Sequence, residues 1–325
     1  MGKSKSLKEY PLDLKGASSN PISKDYLEHV AYIANSEVKI DEKLLKCKVN
    51  HLNIIDYLVW SCRGYQINGL EDDGLAHHKH VVPVYKNMDD TVAVYKVTID
   101  NYFIKEMFRF SNKQSSNCGT AYLISTDVNN KYLNDLIYSV KEFFLSNLVT
   151  FEESEKNGGC SIVSTFIISG LTVNLKDESK GELISNIKSI DFSVNMNVVN
   201  KLFPLENGGY GYTKLIDQWC LSSPTSWLLF KVINKDLHWI KGENGKIYTL
   251  EYIARVLGVE QRLYCDKNYR VGNFYRDLEK AVTEINEDTN FFHDNGGNLV
   301  MEKLSLVEEG QHKITHIGFR IEEEG

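Results

Sequence analysis

Residues Asn273 to Thr289, NFYRDLEKAVTEINEDT, place Phe274, Leu278, Ala281, Val282 and Ile285 on one side of a helix and leave the opposite side polar. Two alternating segments follow it, Leu299 to Val307 and Lys313 to Ile321, with Glu308, Glu309, Gly310 and Gln311 as the turn of a hairpin. Upstream, Glu251 to Leu257 reads as a short helix ended by Gly258, which suits a left-handed cap. Lys246 to Leu250 is a short extended stretch, and Thr225 to Lys235 has apolar residues at helical spacing. Helix, strand, helix, helix, hairpin is the order of a winged helix.

The same order is found on the other side of Leu205 to Gly211, where three glycines in four positions interrupt two apolar segments. His51 to Arg63 is the opening helix, Val92 to Val97 a strand, and Ile99 to Phe110 a short helix. Asn130 to Leu148 is the long helix, with Leu133, Leu136, Ile137, Val140 and Phe144 on its apolar stripe. Ser161 to Val173 and Ile184 to Val194 form the hairpin, joined by the charged turn Lys176 to Gly181. The expected fold class is α+β, with two tandem winged-helix domains. Residues 1–24, polar and serine-rich, are expected as a flexible arm, 25–204 as the first domain, 205–211 as a Gly-rich linker, and 212–325 as the second domain and main reader.

A helix that buries one stripe can offer the other to the major groove. On the Asn273 helix that outward side holds Arg276, Glu279, Lys280 and Thr283. Its basic residues lie towards the N-terminus, beside the positive end of the helix dipole, while Glu284, Glu287 and Asp288 load the other end. From Arg262 to Lys280 five basic residues face three acidic ones, against a net charge of -7 for the whole chain. The site expected to touch DNA is therefore Arg270, Asn273, Tyr275, Arg276, Lys280 and Thr283, with Lys313 from the hairpin. Lys131, Asn134 and Tyr138 are the corresponding residues of the first-half helix, whose exposed side is nearly neutral.

The helix, with Leu278, Ala281, Glu284-Ile285-Asn286 and Thr289 in an L-x-x-A-x-x-E-I-N-x-x-T pattern, resembles the reading helix of the iteron-binding plasmid replication initiators, the RepE, RepA and pi group. Ile317-Gly318-Phe319 is similar to the family's I-x-F wing strand, and Leu250 to Val259 to its short helix ending L-G-V. The resemblance covers about 100 C-terminal residues. It departs at the acidic wing tip and at Trp227-Leu228-Leu229-Phe230, where the family has a basic tip and R-L-Y-E. It implies a tandem winged-helix initiator that binds repeated double-stranded origin DNA and recruits the host initiator DnaA and the replicative helicase. It further implies a homodimer, in equilibrium with monomer, that represses its own gene. A winged-helix transcription regulator without an origin role is the alternative, and a rolling-circle nuclease the third.

The nuclease has a weak footing in the residues. His78-Lys79-His80 has the two-histidine spacing and Tyr138 with Lys141 the Y-x-x-K spacing, but a lysine between two metal ligands opposes the cation. Gly242-Glu-Asn-Gly-Lys246 is too short for a phosphate-binding loop, and no nucleophile sits in a G-x-S-x-G setting. No enzyme activity, cofactor or metal is expected. The six cysteines are far apart, without a C-x-x-C pair, and read as buried thiols in a reducing compartment. No apolar run approaches the roughly 18 residues of a membrane span, so a cytoplasmic protein is expected. The Gly2 and Ser6 match to a myristoylation pattern is short enough to arise by chance.

Overall fold

The structure, a computed structural model, describes residues 19–22, 24–40, 43–68, 81–86, 92–100, 149–154, 160–177, 187–202, 211–266, 270–308 and 311–323. They fall into two compact units, one within Ser36–Asn207 and the other combining Ala17–Asn35 with Gly208–Gly325. The chain enters the second unit first. Strand β1 (Ser19–Ile22) pairs antiparallel with Gly211–Lys214, from Ser19 opposite Lys214 to Ile22 opposite Gly211. Helix α1 (Lys24–Asn35) then buries Tyr26, Leu27, Val30, Ile33 and Ala34, an i, i+1, i+4, i+7, i+8 stripe. Both elements correct the expected boundaries, because Ser19–Ile22 lies in a sheet and α1 packs with the C-terminal half of the chain.

In the first unit β2 (Glu37–Ile40) and β3 (Lys43–Lys46) form a small hairpin. Helix α2 (Val49–Asn68) follows, covering the opening helix expected from His51. Every side chain from His51 to Val59 is buried, so this stretch of α2 shows no wet face. Strands β4 (Val81–Lys86), β5 (Val92–Asp100), β6 (Val149–Ser154), β7 (Cys160–Thr165), β8 (Ile168–Leu175) and β9 (Ile187–Asn195) come next, then α3 (Met196–Leu202). Their main sheet runs β4-β5-β9-β8, and β6 with β7 makes a separate ribbon. β5 buries Ala93, Tyr95, Val97 and Ile99, the period-2 pattern of a strand with one face on the core.

Two expectations change here. The strand expected over Ser161 to Val173 is two strands, since β7 pairs with β6 and β8 with β9. At the break Ile167 is buried and its carbonyl accepts from the Asn195 N–H at 2.8 Å. Ile99 and Asp100, expected in a helix, end β5. The rest of that helix, the Asn130 to Leu148 helix with Lys131, Asn134 and Tyr138, and the His77, His78 and His80 cluster lie outside the described residues.

The second unit continues with β10 (Gly211–Lys214), α4 (Leu215–Cys220), α5 (Pro224–Lys235), α6 (Leu237–Ile240), β11 (Lys246–Thr249), α7 (Leu250–Val256) and α8 (Glu260–Cys265). It closes with α9 (Val271–Asp288), α10 (Phe291–Asn295), β12 (Asn298–Glu308) and β13 (Gln311–Glu322). The sheet order is β11-β13-β12. The first unit repeats it as β5-β9-β8, with β4 added at the edge. This is an α+β protein whose C-terminal unit is a winged helix.

Local chemistry sets the helix starts. Ser223 caps α5 by accepting from the Ser226 N–H at 3.0 Å, with Pro224 in the first turn, and Thr249 caps α7 by accepting from the Tyr252 N–H at 3.1 Å. α5 is the central helix, flanked by α1 and α9, and buries Trp227, Leu228, Leu229, Phe230, Val232 and Ile233. Even Lys231 is fully buried, its Nζ 4.6 Å from the Trp227 ring centroid and 5.5 Å from that of Tyr26.

Candidate nucleic-acid interface

α9 is fixed along its buried side and at its C-terminal end. Phe274, Leu278, Ala281 and Ile285 are buried, with α5 packed against the helix. Asn286 makes a reciprocal pair with the backbone of Leu299 on β12, donating to its carbonyl at 2.9 Å and accepting from its N–H at 2.8 Å. At the C-terminus Thr289 donates to the Ile285 carbonyl at 2.7 Å, and Asn290 donates from backbone and side chain to Asp217 Oδ1 at 3.2 and 2.9 Å. Glu284, buried, accepts from the Ser222 N–H. A helix held this way presents its free face without reorganisation, which lowers the ordering cost of binding.

That free face is a row. Asn273, Arg276, Lys280 and Thr283 follow one another at three- and four-residue steps, and Arg276, Lys280 and Thr283 are exposed. Arg276 donates from Nη2 to Asn273 Oδ1, which steers the guanidinium along the helix towards its N-terminus. Thr283 donates to the Glu279 carbonyl at 3.0 Å, leaving its methyl group and oxygen lone pairs on the surface. Arg270, also exposed, precedes the helix with an extended backbone, φ -87° and ψ 158°. Gly272 is exposed in the first turn, and a Cβ built there meets nothing within 4 Å.

Tyr275 does not belong to the row. It is buried, its hydroxyl has no hydrogen-bond partner, and burial pushes its pKa up to about 12. The cause is its flank of the helix. One step round from Arg276, it faces β12, and Lys303 of that strand sets its Nζ 5.1 Å from the ring centroid. Lys313 lies on β13 opposite Leu306, one strand of the wing hairpin, five residues from Gly318 in the core of the sheet. Lys131, Asn134 and Tyr138 lie outside the described residues.

One pairing at this surface has no signature in the helix pattern. Lys303 Nζ sits 2.6 Å from Glu279 Oε1, so the carboxylate on the outward face is met by a cation from the wing. The period-2 alternation of β12 sends Lys303 to the same sheet face as Met301, but only the folded hairpin brings it to α9. Arg320 is held instead by Glu302 at 2.7 Å and by Glu322. Among the described residues no group of three His, Cys, Asp or Glu side chains could hold a metal ion, and no helix is long and apolar enough to cross a membrane.

No family model and no curated protein matches the chain. Among solved structures it is similar to the Pi initiator protein in complex with iteron DNA, with 16% sequence identity and a TM-score of 0.39, over 85% of this chain and 95% of that one. It is also similar to domains 2 and 3 of RctB, with 12% identity and a TM-score of 0.42, over 88% of this chain and 90% of that one.

Proposed function

We propose that this protein is a non-enzymatic, sequence-specific double-stranded DNA-binding protein that starts plasmid replication at repeated origin sites. The observation that carries the reading is the row Asn273, Arg276, Lys280 and Thr283 on the free face of a helix fixed by α5 and β12. These are residue types that read base edges or meet phosphates, placed on the element that a winged helix inserts into a major groove. The basic residues lie in the N-terminal half of α9, where the helix dipole adds to their attraction for phosphate. The resemblance of this helix and its hairpin to the iteron-binding initiators supports the origin role. In this reading the second unit docks α9 in one major groove. The first contacts an adjacent stretch, with Lys131, Asn134 and Tyr138 as its DNA-facing residues. The protein then hands the origin to DnaA and the replicative helicase, acts in the cytoplasm, and represses its own gene as a homodimer.

The test is footprinting on the DNA upstream of the gene, followed by titration of the protected fragment against scrambled competitor at several salt concentrations. Protection of direct repeats and selective, salt-sensitive binding are expected. Equal affinity for cognate and scrambled DNA overturns the reading, and protection of an inverted repeat alone turns it into that of a transcription regulator.

A further inference from the structure

A carboxylate on a surface that approaches phosphates is costly unless it has a use or a counter-charge. Glu279 lies on the free face of α9, about 60° round the helix from Arg276 by the 100° step of each residue. Its side chain is 51% exposed, yet it is held in place: Lys303 reaches it from β12 at 2.6 Å, and the same ammonium lies over the ring of Tyr275 one turn earlier in α9. One cation from β12 thus meets both the carboxylate and the ring that α9 turns towards that strand. The positive charge of Lys303 offsets the carboxylate's repulsion of phosphate, and the remaining oxygen, Oε2, has no partner among the described residues.

We infer that Glu279 is a specificity-determining residue that selects a cytosine next to the base read by Arg276, with Lys303 as its positioning residue. The inference rests on the DNA-reading function proposed above. A carboxylate only accepts hydrogen bonds. In the major groove guanine shows it two acceptors, thymine an acceptor and a methyl group, and adenine an acceptor beside its amino group. Cytosine alone offers an amino donor without a neighbouring acceptor. Glu279 therefore attracts one base and repels the other three, which is selection by rejection as much as by contact. Lys303 does not read the base. It fixes the carboxylate so that the groove meets one geometry.

The experiment is a base-substitution series across the footprinted repeat, measured with the full chain and with Glu279→Gln, Glu279→Ala and Lys303→Met. The wild type is expected to prefer cytosine at one position by about tenfold, the lower part of the range for a direct base contact. Glu279→Ala loses that preference, keeps the others, and binds scrambled DNA more tightly, having shed a negative charge. Glu279→Gln moves the preference towards adenine, because an amide can donate to N7 and accept from the adenine amino group. A structural ion pair cannot produce that switch, so the Gln variant decides the matter even if Glu279→Ala folds poorly. Lys303→Met weakens the preference at the same position only. A wild type with no base preference overturns the DNA-reading function and this inference with it. A wild type whose preferences survive unchanged in Glu279→Gln overturns this inference alone.

Discussion

Asn35 donates from its side-chain amide to the carbonyl of Leu257 at 2.9 Å, across 222 residues of sequence, and to the Ala31 carbonyl at 2.8 Å. The contact closes α1 onto the turn after α7, where Gly258 takes φ +68°. A Cβ at that position would stand 2.5 Å from the Ala31 carbonyl oxygen and would strike the Asn35 amide. Gly258 is thus required twice, by its backbone and by the close approach of α1.

Gly258→Ala is accordingly expected to lower stability, since the left-handed backbone alone costs a non-glycine residue about 1 to 2 kcal/mol and the clash with α1 adds to it. Asn35→Ala, which removes hydrogen bonds worth about 1 kcal/mol each, should cost less. Thermal unfolding followed by circular dichroism measures both. An unchanged midpoint in Gly258→Ala would show that α1 does not pack on this turn.

The same contact explains what could be read from the sequence and what could not. The stripe Phe274, Leu278, Ala281, Ile285 and the cap at Gly258 are local signals, carried by spacing within one element, and they fix α9, α7 and the hairpin. The membership of α1 is a long-range fact: its apolar stripe says that it packs, but not against what. Tyr275 departs from the expected row for a related reason. Helical spacing separates a buried side from an exposed one, but a flanking position goes to whichever neighbour covers it, and here that is β12. The Lys303 to Glu279 pair depends on the hairpin folding back against α9, which no window of sequence contains.

Tyr275→Phe is expected to leave DNA affinity unchanged and stability unchanged or raised by about 1 kcal/mol, because the hydroxyl it removes is buried without a partner. Tyr275→Ala, by contrast, should cost about 3 to 5 kcal/mol through the lost ring. Urea unfolding and DNA titration on the two variants separate the outcomes. Loss of DNA affinity in a stable Tyr275→Phe would return the tyrosine to the interface.

His51 gives the first unit an acid-sensitive point. It is buried, and its Nδ1 accepts from the Lys48 N–H at 2.8 Å, which favours the neutral ring. Burial, and then the charge of Lys48, hold its pKa down at about 3 against an ordinary 6.5. The unfolded chain therefore takes up a proton that the folded one refuses. Stability present above pH 6.5 is lost as pH falls towards 3, at about 1.4 kcal/mol per pH unit. In urea unfolding at pH 7 and pH 5, His51→Gln should show a smaller drop between the two than the wild type, and an equal drop would contradict the assignment.

Arg276 and Lys280 should differ in kind. Arg276 lies one turn into α9, and its guanidinium, steered by Asn273, can meet the two acceptors of a guanine at once, a contact worth about 1 to 3 kcal/mol of discrimination. Lys280, one turn further on and exposed, is a point charge that suits a phosphate. Arg276→Ala is expected to weaken cognate DNA far more than scrambled DNA. Lys280→Ala should weaken both alike and lower the salt slope of binding by about one unit. Lys131→Ala, where the flanking sequence is nearly neutral in charge, should do less than either. Circular dichroism confirms folding first, because Arg276 also bonds within its own helix and its loss could loosen the first turn. If folded Arg276→Ala keeps both the affinity and the selectivity of the parent, α9 is not the reading helix, whatever its surface chemistry.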